Sequence, residues 1–213
     1  MAWPLVDGEI RRVLANRFPY GVLDAPRGPS IHILAVRLDD KQFSGQGEAM
    51  GIFDLIKLLA EKKIDFVLVG GLAVALQGYQ RVTMDVDVVL AMDAGNLERF
   101  ISAAREAGLR PTIPVPIESL ARPDLIEQWH REKGMLAFSL RSAEAQATVL
   151  DVLVKPVVPY AELRRDALMV AMGTTRVPVA SIPHLIAMKT GTGRGKDQID
   201  VDELTKLLPG SAP

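Results

Sequence analysis

Residues 66–90 read "FVLVGGLAVALQGYQRVTMDVDVVL". A short apolar run ends in Gly70 and Gly71, and Asp85 and Asp87 follow with a single valine between them. The alternation in "MDVDVVLA" (84–91) predicts a strand with Asp85 and Asp87 on one face and Val86 and Val88 on the other. An unpaired carboxylate in such apolar company costs on the order of several kcal/mol, so the pair needs a partner or a cation. Upstream, "IDFVLVG" (64–70) predicts a buried strand and "GLAVALQGY" (71–79) a helix opening directly from its end. A strand, a glycine turn, a helix and a returning strand predict an α/β (α+β) fold.

Carboxylates at i and i+2 of a strand project to the same side with β-carbons roughly 6–7 Å apart, close enough to converge on one hard cation. Magnesium suits them, because it takes oxygen ligands and keeps waters and substrate phosphates as the remainder of its octahedron. A third carboxylate on a neighbouring strand would complete a two-metal site. Asp151 in "TVLDVLV" is the candidate, as the only charge between Glu144 and Lys155. The alternative for Asp151 is a structural ion pair, for instance with Arg81. The N–H groups of Gly70 and Gly71 at the helix start would cradle a triphosphate at the positive end of the helix dipole. A tight strand–helix junction is the alternative reading of the two glycines. Arg81 would bring charge to the phosphates and Thr83 a hydroxyl.

The remaining elements follow from periodicity. Ile52, Leu55, Ile56 and Leu59 share one face of a helix in "MGIFDLIKLLAEKK", and "AGNLERFISAAREAG" is a helix capped by Asp93 or Asn96. "MLAFSL" and "ATVLDVLV" are paired strands around the turn "RSAEAQ". "YAELRRDALMVAM" is expected as a helix, "TRVPVAS" as a strand, and "PHLIAMKT" and "DQIDVDELTKLL" as helices on either side of "GTGRGK". Residues 1–47 are rich in proline and glycine and offer one evident strand, "IHILAVRL", with no partner in the expected sheet. The expected organisation is an N-terminal extension (1–47) loosely attached, a core (48–158) and a C-terminal helical part (159–213).

Composition excludes several classes. There is no cysteine, hence no disulfide framework or thiolate chemistry, and His32, His130 and His184 stand far apart, without zinc-type spacing. "GTGRGK" lacks the distant glycine and following hydroxyl of a phosphate-binding P-loop, and no serine sits in a glycine-flanked elbow. The N-terminus does not read as a secretory signal and no stretch is long enough to span a membrane, so a cytoplasmic protein is expected. Net charge is −1, yet Lys155–Lys196 holds seven basic and two acidic residues, a local +5 that reads either as a solvated face or as a seat for phosphates.

"VGG", thirteen residues, then "DVDV" resembles the signature of the DNA polymerase β-like nucleotidyltransferase superfamily. "GYQRVTMDVDVVL" together with "VPVASIPHLIAMKTGTGRGKDQIDVDEL" resembles its minimal, stand-alone members, including AbiEii-type toxins of toxin–antitoxin and abortive-infection (phage-defence) systems. The resemblance covers roughly residues 50–208 and implies the nucleotidyltransferase fold, a small mixed β-sheet flanked by helices with a helical C-terminal part. It makes 48–158 the nucleotidyltransferase catalytic core and 159–213 the part completing the nucleotide site, in a transferase that moves a nucleoside monophosphate from an NTP to an acceptor hydroxyl, releasing pyrophosphate. It implies Asp85, Asp87 and Asp151 as metal ligands, with Asp151 helping to deprotonate the nucleophile. Gly70, Gly71, Arg81 and Thr83 would bind the nucleotide. Lys189, on a helix and followed by Arg194, Lys196, Asp197 and Asp200, would act with Arg194 on the leaving pyrophosphate, paired to Asp197 or Asp200. The implied partners are an NTP, a tRNA or other RNA 3′ end or a protein hydroxyl as acceptor, and a cognate antitoxin or toxin, with no membrane. The alternative is a catalytically silent nucleotide-binding or antitoxin module acting by contact. The interval from Lys189 to Asp197 is shorter than in many AbiEii-type toxins, and their large C-terminal helical region has no counterpart here.

Overall fold

The structure, a computed structural model, describes residues 51–79, 81, 83–142, 148–172 and 175–208 together with the backbone of four strands between residues 5 and 38. Those four strands are β1 (Leu5–Asp7), β2 (Ile10–Leu14), β3 (Tyr20–Arg27) and β4 (Ser30–Leu38), and they form their own antiparallel sheet in sequential order. The strand expected in "IHILAVRL" is present as β4, but it is not alone: β3 pairs with it along its length, from Tyr20 opposite Leu38 to Arg27 opposite Ser30. No β1–β4 strand joins the second sheet.

That second sheet has seven strands: β5 (Phe66–Val69), β6 (Asp85–Leu90), β7 (Arg110–Pro111), β8 (Ala137–Arg141), β9 (Val149–Leu153), β10 (Leu168–Met172) and β11 (Thr175–Val179). Their order is β10-β11-β5-β6-β9-β8-β7, with β11/β5 and β6/β9 parallel and the other pairs antiparallel. It is the mixed α/β architecture expected. Flanking it are α1 (Ile52–Glu61), α2 (Gly70–Gln77), α3 (Ala94–Glu106), α4 (Pro123–Lys133), α5 (Tyr160–Arg165), α6 (Ile182–Lys189) and α7 (Gly195–Lys206), with a 3-10 turn at Ile117–Ala121.

Apart from Asp85, Asp87 and Asp151, strands β5, β6 and β9 are wholly apolar. Phe66–Val69 and Val86, Val88, Val89 and Leu90 are all buried, as are Leu150 and Val152 beside them. α1 lays Ile52, Leu55, Ile56 and Leu59 onto this core along its predicted face. Asp93 caps α3 by accepting from the Asn96 N–H, while the buried Asn96 side chain ties Asp65 and Ala91 together through their carbonyls. The candidate turn "RSAEAQ" lies mostly outside the described residues.

One expected helix is only half a helix. "YAELRRDALMVAM" is helical over Tyr160–Arg165 and then becomes β10, which pairs with β11 from Leu168 opposite Val179 to Met172 opposite Thr175. Val170 and Met172 are buried while Met169 and Ala171 are exposed, the period-two pattern of a strand with one covered face. The segment from residue 159 onward therefore contributes two strands to the main sheet as well as helices.

Candidate active site

The site begins where β5 passes into α2. Gly70 has φ +65°, and a Cβ there would overlap the carboxylate of Asp87, so the position excludes any side chain on two counts. The Gly71 N–H lies close enough to the Asp87 carboxylate to pull its pKa down. A Cβ on Gly71 would stand 2.9 Å from Thr83 Oγ1 and 3.2 Å from Arg81 Cζ. The two glycines thus let the returning segment close over the start of the helix, bringing Arg81, Thr83 and Asp87 against it.

β6 and β9 run side by side in parallel, with Asp87 registered opposite Asp151 and Asp85 opposite Val149. Residues opposite one another in a parallel pair face the same way, so the three carboxylates share one side of the sheet. Burial pushes the Asp87 carboxyl up to about 6, helped by the neighbouring charges of Asp151 and Asp85 and opposed by the Gly71 N–H and Lys189. Asp85 is also raised, by burial and by Asp151, with Lys196 pulling the other way. Asp151 Oδ1 is buried and has no hydrogen-bond partner among the described residues. Among those residues, no three His, Cys, Asp or Glu side chains already enclose a metal-sized point.

Facing the aspartates are α6, α7 and the loop between them. Lys189 Nζ lies 2.9 Å from Asp197 Oδ1 and 2.8 Å from Asp200 Oδ2, so it pairs with both candidate acids rather than one. Thr192 Oγ1 donates to the other Asp197 oxygen at 2.8 Å. Burial would raise the Asp197 carboxyl, but the bonds from Lys189 and Thr192 and the charges of Lys189 and Arg194 outweigh it and hold it below the usual range. Arg81 Nη1 pairs with Asp200, not with Asp151.

Ten of the residues singled out in the sequence line one cavity of about 400 Å³, and Asp200 is not among its lining residues. Gly70, Gly71, Arg81 and Thr83 come from the turn into α2 and the connection that follows it, Asp85, Asp87 and Asp151 from β6 and β9, and Lys189, Arg194 and Asp197 from α6, α7 and the loop between them. Others were not singled out as site residues: Lys196, Thr192, and an apolar set of Leu136, Ala137, Leu153, Leu185 and Met188. Lys196 had a sequence signal, two places after Arg194 in the same basic run; the apolar residues had none beyond their place in strands and a helix.

The model of the family described as "Nucleotidyl transferase AbiEii toxin, Type IV TA system" matches residues 57–208. The chain belongs to the AbiEii nucleotidyltransferase family. It is a transferase of that type, and the glycine pair, the three aspartates and the Lys189 cluster all lie within the matched segment. No curated protein gives a match. Among solved structures it is similar to the lincomycin-bound crystal structure of the lincosamide antibiotic adenylyltransferase LnuA, at 16% identity with a TM-score of 0.49, covering 74% of this chain and 96% of that one. No described helix is long and apolar enough to cross a membrane.

Proposed function

We propose that this AbiEii-family chain transfers a nucleoside monophosphate from an NTP to a hydroxyl at an RNA 3′ end, with magnesium as cofactor, in the toxin–antitoxin setting that its family description suggests. The observation that carries this reading is the cavity itself. Three carboxylates on one face of β6 and β9 share it with Arg81, Lys189, Arg194 and Lys196. Acids and bases lining one cavity suit a substrate that carries both metal and phosphate.

The donor set fits magnesium. An unpartnered oxygen on Asp151 and a carboxyl raised to about 6 on Asp87 are what a cluster of acids shows when a cation would relieve it. Asp85, Asp87 and Asp151 would hold the ion, which would take its other ligands from water and phosphate. Bound there, magnesium would neutralise phosphate charge and lower the pKa of the acceptor hydroxyl. The N-terminus of α2 at Gly70 and Gly71 lines the same cavity, where its positive end would favour a triphosphate. Asp151 would take the acceptor proton as the new bond from oxygen to the α-phosphorus forms and the bond to the leaving pyrophosphate breaks. Arg81, Lys189 and Arg194 would draw off the charge that develops on that pyrophosphate. Arg194 and Lys196 are exposed at the cavity edge, which favours a polyanionic acceptor over a protein.

The test is incubation with each labelled NTP, magnesium, total cell RNA and lysate. Label on RNA is the expected result. Label on protein alone would replace the acceptor, and no transfer from any NTP to either would overturn the reading.

A further inference from the structure

Asp200 lies on α7 one turn beyond Asp197, and its side chain is only 3% exposed. Its Oδ2 accepts from Arg81 Nη1 and from Lys189 Nζ. Lys189 comes from the end of α6, whereas Arg81 comes from the connection between α2 and β6. The two cations are not equally held. Lys189 has Asp197 as a second acceptor, while Asp200 is the acid that Arg81 reaches among the described residues.

Stability is a poor reason for such an arrangement, since a buried ion pair commonly does no better than well-packed apolar residues. Its place is informative instead. The Arg81 guanidinium sits over Gly71, at the start of α2, and lines the cavity beside Thr83. A free arginine side chain has many rotamers, and ordering it when a ligand arrives lowers affinity. We propose that Asp200 is a positioning residue: from α7 it holds Arg81 over the N-terminus of α2, oriented for the triphosphate before the nucleotide arrives. This rests on the nucleotide-binding reading above.

The test is a set of dissociation constants for the four magnesium–NTPs on the full chain and on Asp200→Asn, Arg81→Gln and the double variant, each checked for folding by circular dichroism. Asp200→Asn is expected to weaken the NTP that the wild type binds best by about tenfold, the scale of one lost charge-assisted hydrogen bond. Arg81→Gln should weaken it at least as much, and the double variant should match Arg81→Gln alone, because Asp200 acts through Arg81. A purely structural Asp200 would lower the melting temperature without moving affinity in the folded protein. Unchanged affinity in Asp200→Asn, or losses that multiply in the double variant, would overturn the proposal. Should Asp200→Asn not fold alone, Arg81→Gln against the double variant decides, since there the acid has no arginine to hold: equal affinities support the proposal, and a further loss of about fivefold or more overturns it. A wild type that binds none of the four would refute the nucleotide-binding reading and this inference with it.

Discussion

Removing a carboxylate from the site should stabilise the metal-free protein, and by an amount that depends on pH. Asp87 is raised from 3.8 to about 6, first by burial and then by Asp151 and Asp85. Each tenfold change in proton affinity is worth about 1.4 kcal/mol, so ionised Asp87 works against the empty fold by up to about 3 kcal/mol. The sign follows from proton counting. Between pH 4 and pH 6 the native chain binds the Asp87 proton more tightly than the unfolded chain does, so this group's contribution falls as pH rises and is flat above about pH 7. Asp87→Asn keeps an acceptor for the Gly71 N–H and cannot ionise. In chelator, its melting temperature should equal that of the wild type near pH 4 and exceed it by several degrees at pH 8, at roughly 2–4 °C per kcal/mol for a chain of this size. The same variant should lose nucleotide transfer. The assay is thermal unfolding of both proteins across pH 4–8, read as the difference between them. A difference that is flat with pH, or an Asp87→Asn protein less stable at pH 8, would refute the crowding argument; full transferase activity in that variant would refute the role given to the residue.

Gly70→Ala should be the most damaging small change, because it meets both a left-handed backbone and the Asp87 carboxylate; a lowered melting temperature and lost transfer are expected, and a stable, active variant would contradict the close approach of α2 and β6. Lys189→Ala leaves Asp197 and Asp200 with fewer partners in a buried place and should raise KM for NTP, or lower kcat if the phosphate contact forms only in the transition state; steady-state kinetics with both values unchanged would count against it. If the acceptor is RNA, transfer should fall steeply with salt, because binding a polyanion releases counterions, and salt-insensitive transfer in the same titration would point to a protein acceptor. A chain starting at Met50 should fold and transfer nucleotides at near full rate, since no β1–β4 strand enters the main sheet; because β4 runs beside α2, some loss of melting temperature is expected, and an inactive or insoluble truncation would make the first 47 residues part of the catalytic unit.

What could be read along the chain was whatever had a short period. Gly70, Gly71, Asp85 and Asp87 could be placed because a strand alternates every second residue and a glycine pair marks its exit; Asp151 stood out as one charge in an apolar run. The end of "YAELRRDALMVAM" was hidden because its apolar residues also satisfy a helical spacing, and only pairing with β11 covers Val170 and Met172 while leaving Met169 outside. β1, β2 and β3 were hidden for a different reason: proline, glycine and charge break the alternation that would have announced them. The Arg81–Asp200 pair spans 119 positions, and no local pattern carries that distance. It exists because β11 lies next to β5 and so delivers α6 and α7 to the mouth of the site built by β5, α2 and β6. The three aspartates are therefore set by one sheet register, whereas Lys189, Arg194 and Lys196 depend on how two C-terminal helices dock. Changes that loosen α7 should then act on phosphate binding before they act on the carboxylates, which is why Asp200, remote in sequence from the glycines, bears on how they meet a triphosphate.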